Sequence, residues 1–119
     1  MKTIDLAALT QDIETFIQER DWDKFHSVKN LSTALTVEAS ELAEIFQWMT
    51  EKDSNEAHLD PALKVRLEDE VADVFVYLLR IMSKSNIDLE SSVRNKMRKN
   101  AEKYPVELSK GNSKKYDQF

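Results

Sequence analysis

The chain has 119 residues, 41% hydrophobic and 33% charged, with one glycine, two prolines and no cysteine, which fits one globular domain rather than a disordered or membrane-spanning chain. Without cysteine there is no disulfide, thiolate metal site or thiol nucleophile, and Gly111 alone excludes the P-loop, the dinucleotide fingerprint and the turns of a β-rich fold. The net charge of −5 divides into −10 over residues 1–93 and +5 over residues 94–119; polymer nucleic acid is therefore not an expected partner of the acidic body, while the basic tail is either a phosphate contact or a solvated helix end.

An all-α protein of four helices is predicted. The first runs from about Asp5 to Arg20, with Leu6, Leu9, Ile13, Phe16 and Ile17 on one stripe. The segment Asp21–His26 is too polar and mixed to extend it. The second runs from about Ser27 to Thr50, and a charged, helix-poor link is expected over Glu51–Asp60. Asp60-Pro61 opens the third, with Asp as N-cap and Pro in the first turn, and this helix continues to about Lys84. Asn86 and Asp88 mark a turn before the fourth, which ends near Lys103. Residues 1–105 read as the helical domain and 106–119 as an irregular basic tail contributing to the site or to an interface. The N-terminus MKTIDLAALTQD has no apolar signal core and no run approaches a membrane span, so no membrane partner and a cytoplasmic location are expected. The run Val71–Leu79 is apolar on nearly every helical face, more than three short neighbours can cover, so a homo-oligomer is expected.

The seam of the second helix advances through Leu31, Leu35, Glu38, Leu42, Ile45 and Met49. Every member except Glu38 is apolar. Glu41 lies one turn along the same side, and Glu70 and Asp73 stand in the same relation on the third helix, with Tyr77 continuing their face. A carboxylate on a core-facing stripe must be paired, protonated or bound to a cation. Among 22 acids about four such pairs arise by chance, and Arg80 or Lys29 offers a structural counter-charge. Yet four carboxylates outnumber the inward-facing cations. An oxygen-only site suits Mg²⁺ or Mn²⁺ rather than zinc, and no Glu-x-x-His supports a di-iron centre. Such an ion, without a P-loop, commonly works on a substrate whose phosphates complete its ligands.

Glu38-Ala-Ser-Glu41 followed by Glu70-Val-Ala-Asp73 resembles the E-x-x-E…E-x-x-D signature of the MazG-like, all-α nucleoside triphosphate pyrophosphohydrolases. Arg20-Asp21-Trp22, Phe25-His26, Lys29-Asn30-Leu31, Phe46-Gln47-Trp48, Lys96-Met97, Asn100, Tyr104-Pro105 and Lys114-Lys115-Tyr116 resemble its dCTP pyrophosphatase branch, and small integron-borne bacterial MazG-like proteins look similar. The resemblance covers roughly residues 16–116. One departure is Val37, where the broader family often carries a further Glu. The resemblance implies a four-helix MazG-like bundle, assembled as a tetramer of paired dimers with shared sites. It also implies Mg²⁺ on Glu38, Glu41, Glu70 and Asp73, and hydrolysis of a (deoxy)nucleoside triphosphate, dCTP first, to the monophosphate and pyrophosphate.

Lys96, Lys114 and Lys115, with Lys29, Asn100 and Tyr104, are then candidate contacts to the substrate. Trp22, Trp48, His26 and Tyr77 are candidates for the base pocket, although a tryptophan or tyrosine among apolar neighbours is as readily core. Two alternatives stand beside this reading. One is a related pyrophosphohydrolase for dUTP or phosphoribosyl-ATP. The other is a non-enzymatic helical interaction module whose acids form a solvated face.

Overall fold

Most of the helices begin at a short polar side chain that accepts from the freed amides of the first turn. In the computed structural model, which describes residues 1–119, Asp5 accepts from the Ala8 amide at 3.0 Å and opens α1, Leu6–Glu19. Ser27 does the same for Asn30 at the start of α2, Val28–Phe46. Thr50 accepts from Asp53 and opens α3, Glu51–Glu56. Asp60 accepts from Ala62 and Leu63 ahead of α4, Pro61–Lys84, and Asp88 accepts from Ser91 ahead of α5, Leu89–Lys103. A last helix, α6, covers Val106–Ser109, and 3₁₀ turns lie at Asp23–Phe25, Ala57–Leu59 and Tyr116–Gln118. There are no strands, as the composition requires, and no helix is long and apolar enough to cross a membrane.

Two segments expected to be helix-poor are partly helical. The second helix stops at Phe46 because Thr50 adopts an extended conformation to cap α3, whose first turn carries Glu51 and Asp53 where the helix dipole favours them. Ala57, 4% exposed, then anchors the 3₁₀ turn that follows. The tail expected to be irregular contains α6 and a 3₁₀ turn. There the rings of Tyr116 and Phe119 meet Tyr104 edge-on at 6.2 and 5.9 Å.

The link after α1 is a Schellman turn. Asp21 sits in the left-handed region (φ 53°), its amide donating to Gln18 O and that of Trp22 to Ile17 O. This geometry folds Trp22 back against Phe16, ring to ring at 5.8 Å.

The chain divides into two compact units, Met1–Asn86 and Ile87–Phe119. In the first, α2 lies along α4, and α1 and the Ala57–Leu59 turn also meet α4. Its buried apolar side chains are Ile17, Leu31, Ile45, Ala57, Leu79 and Met82. The α2 seam is buried or half-buried throughout, Glu38 included. The α1 stripe is only partly so: Leu9 and Phe16 are exposed. On α4, Val71 and Leu78 also remain exposed. In the second unit, α5 has no buried residue.

Leu31, at 1% exposure the most buried side chain, contrasts with Leu59, exposed on its turn. Leu31→Ala should lower unfolding free energy by about 2–5 kcal/mol, and Leu59→Ala by less than about 0.5 kcal/mol. Urea titrations at one fixed protein concentration check the contrast; equal losses would overturn this assignment of the core.

Candidate active site

The helical repeat that buries Leu31 and Ile45 also turns Glu38 inward, and α4 presents Glu70 to the same place. Carboxylate oxygens of Glu38, Glu41 and Glu70 all lie within 4.8 Å of one another. One oxygen of Glu38 and one of Glu70 are buried without a hydrogen-bond partner. No ion pair reaches any of these residues or Asp73: Arg80 pairs with Asp23, and Lys29 is exposed and unpaired. Neither counter-charge suggested by the sequence is therefore used.

Asp73 lies outside this tight group, yet its charge acts on two of its members. Burial, then the adjacent Glu41 carboxylate, then Asp73 and Glu70 push Glu38 up to about 7. Glu70 is raised as well, by burial first and then by the charges of Glu41 and Asp73. Crowded, partly desolvated carboxylates without a basic partner fit a hard divalent cation, whose charge offsets both burial and repulsion. Glu38, Glu41 and Glu70 could hold such an ion directly, with Asp73 beside them.

Asp73 also lines a cavity of about 410 Å³, together with Phe16, Trp22, His26, Val76, Tyr77 and Arg80. The cavity is mostly apolar. His26 and Tyr77 meet edge-on at 6.5 Å. Burial first, then the positive charges of Arg80 and Lys84, lower the His26 pKa against the opposing pull of Asp23, so the ring is neutral near pH 7. Burial and then the charges of Glu38 and Asp73 raise Tyr77, which keeps its phenol proton.

Of the residues singled out in the sequence, the structure thus brings Glu38, Glu41 and Glu70 together and puts Asp73, Trp22, His26 and Tyr77 on one adjoining cavity. It does not bring Trp48 there: α2 ends two residues earlier, and the indole stands 90% exposed. Lys29 is exposed on the first turn of α2, away from the cavity lining. Lys96, Asn100, Tyr104, Lys114 and Lys115 belong to the second unit. Lys96 and Asn100 share a face of α5, Tyr104 caps that helix on Asn100 O, and Lys114 and Lys115 precede the last 3₁₀ turn. Phe16 and Val76 were not anticipated as lining, since an apolar residue on an amphipathic stripe reads as core. Arg80 was considered only as a counter-charge, although its spacing from Asp73 and Tyr77 puts it on their face.

Comparison with known proteins agrees with this arrangement. A match to the MazG-like family spans residues 33–119 and so takes in Glu38, Glu41, Glu70 and Asp73. The chain belongs to the MazG-like family. It is similar to dCTP pyrophosphatase 1 of Rattus norvegicus, 40% identical over 101 residues, covering 85% of this chain and 59% of that protein. The Homo sapiens dCTP pyrophosphatase 1 is 38% identical over 104 residues, 87% of this chain and 61% of its own. The chain therefore spans only about three fifths of the length of these relatives. The crystal structure of a pyrophosphatase from Archaeoglobus fulgidus superposes with a TM-score of 0.77 at 35% identity, covering 88% of this chain and 96% of that one. The MazG-like all-α fold expected from the acidic motifs is thereby shown.

Since Glu38 holds its proton more tightly folded than unfolded, it adds stability to the metal-free chain below the ordinary carboxylate range and loses it as pH rises through about 7. The Tm of metal-free protein should fall between about pH 5 and about pH 8, and Glu38→Gln should remove most of that slope. A slope unchanged in Glu38→Gln would show that the carboxylates are not crowded.

Proposed function

We propose that the chain is a nucleoside triphosphate pyrophosphohydrolase, converting dCTP and other deoxynucleoside triphosphates with water to the monophosphate and pyrophosphate as house-cleaning of the cytoplasmic nucleotide pool. The observation that carries this is the position of Asp73, which lines the aromatic cavity while its charge acts on Glu38 and Glu70 of the carboxylate group. A ligand with a flat apolar end and an anionic end suits the two halves. The names of the curated relatives and of the archaeal structural neighbour support the same reaction class.

Glu38, Glu41, Glu70 and Asp73 would hold Mg²⁺, with Mn²⁺ as a substitute. When bound, the ion supplies neutralisation of the phosphate charge and acidification of water. Trp22 stacks on the base. Stacking accepts any base, so selectivity falls to polar groups such as neutral His26. Tyr77, beside Asp73, occupies the side where a ribose 2′-hydroxyl would need room. We assign contacts to the phosphates to Lys96, Lys114 and Lys115, with Asn100, Tyr104 and Lys29 as further substrate contacts, because residues 94–119 carry a net charge of +5 and a triphosphate is strongly anionic. We further infer a tetramer of paired dimers, supported by the exposure of Val71 and Leu78 on α4 and of the Trp48 indole. In it, Trp48 reaches a base pocket shared between copies.

Pyrophosphate release from a panel of ribo- and deoxyribonucleoside triphosphates, with and without Mg²⁺, tests the reaction. Turnover should need the ion, favour dCTP, and be slower for CTP; equal turnover of CTP and dCTP would refute the role given to Tyr77. Glu38→Gln, Glu41→Gln, Glu70→Gln and Asp73→Asn should each lower kcat by at least about a hundred-fold with the fold retained. Near-normal activity of Glu38→Gln in saturating Mg²⁺ would remove the metal assignment.

Trp48→Ala should raise KM for every good substrate and leave Mg²⁺ dependence intact. A folded, fully active monomer in sedimentation at low micromolar concentration would exclude the tetramer.

A further inference from the structure

Arg80 is charged, yet it sits between Leu79 and Met82 in the buried part of α4, its side chain 5% exposed. Its Nη2 donates to Asp23 Oδ1 at 2.8 Å, and Lys84 Nζ reaches the same oxygen at 3.0 Å. The Asp23 side chain is 60% exposed. A pair so disposed is a poor source of stability, because the guanidinium loses its water while the carboxylate keeps much of its own. An apolar residue at position 80 would serve the core better. What the pair does join is distant in sequence: Asp23 begins the 3₁₀ turn flanked by Trp22 and His26, and Arg80 lies one turn beyond Tyr77 on the face of Asp73.

Arg80 also lines two cavities. One is the aromatic cavity of about 410 Å³, which it lines with Trp22 and His26. The other is a polar one of about 230 Å³, lined by Asp23, Arg80 and Lys84 together with Glu14 and Ser83, which bond to each other at 2.6 Å. Both cations hold the Asp23 carboxyl below its usual range, Lys84 foremost, so the clamp stays ionised at neutral pH.

We propose that Asp23, gripped by Arg80 and Lys84, is a positioning residue that registers the Trp22–His26 wall against the α4 face carrying Asp73 and Tyr77, and thereby sets the width of the base pocket. Its effect on catalysis rests on the reading of that cavity as the base site. The clamp itself is a statement about the turn and can be measured separately.

Two readouts on the intact protein test it. Asp23→Ala should speed amide hydrogen exchange in residues 22–26 by about ten-fold and leave residues 61–72 of α4 unchanged. It should raise KM for dCTP about ten-fold, within what base stacking contributes, with kcat and half-saturating Mg²⁺ within about two-fold of the parent. Asp23→Glu, which keeps the carboxylate, should recover most of both effects. Should Asp23→Ala fail to fold because it strands the buried guanidinium, the double variant Asp23→Ala/Arg80→Met removes that charge and should show the same KM rise and faster exchange. Unchanged exchange in residues 22–26 would overturn the clamp. So would a KM that does not move, or a fall in kcat and metal affinity as large as the KM change, which marks a general scaffold. If the wild-type protein hydrolyses no triphosphate, the proposed function fails, while the exchange result still decides the clamp.

Discussion

Packing α2 along α4 forces Glu38 and Glu70 into contact with each other and with Glu41, away from any lysine or arginine. The seam that buries Leu31 and Ile45 holds Glu38 half-buried, with one carboxylate oxygen buried and unpartnered. Buried carboxylate oxygens without partners cost free energy, and the protein alone has only one means of relief, which is to take up a proton. A divalent cation offers a second. The fold therefore carries an electrostatic deficit that an ion with several carboxylate ligands would offset. That deficit, rather than the acidic composition at large, separates this site from the solvated acids elsewhere on the chain.

The cavity beside it obeys the opposite rule. Its wall is apolar, His26 is kept neutral by burial and by nearby positive charge, and Tyr77 keeps its proton. Its charged lining residues are Asp73, the exposed Asp12 and Arg80. The width of the pocket, however, depends on a turn with little packing of its own, in which Trp22 and Phe25 are exposed. Order there comes from the Schellman turn at one end and from the grip on Asp23 within it.

Much of this was legible in the residues. The Asp60 cap, the start of α2 at Ser27, the turn at Asp88 and the break of the α2 seam at Glu38 follow from side-chain chemistry and a period of 3.6. What was not legible has specific causes. Left-handed turns are read from glycine, and here Asp21 adopts one, so the return of Trp22 onto Phe16 left no local signal. Thr50 could continue one helix or cap the next, and in the structure it is extended and caps α3. Arg80 was the hardest, because a buried arginine is recognised by its partner, and Asp23 lies 57 residues away.

One helix, α4, carries Glu70 and Asp73 of the candidate site and also an exposed apolar face. Glu70, Asp73, Tyr77 and Arg80 follow one another at helical spacing toward α1 and the turn, while Val71 and Leu78, two turns apart, remain uncovered. With so few buried apolar side chains, a unit of this size has little stability in reserve. A second copy seated on Val71 and Leu78 would add buried apolar area to the helix that holds the carboxylates, and would stiffen it where repulsion among them loosens the fold. Association and metal binding would then act on the same rigid element and support each other, since each reduces the cost of ordering α4 for the other.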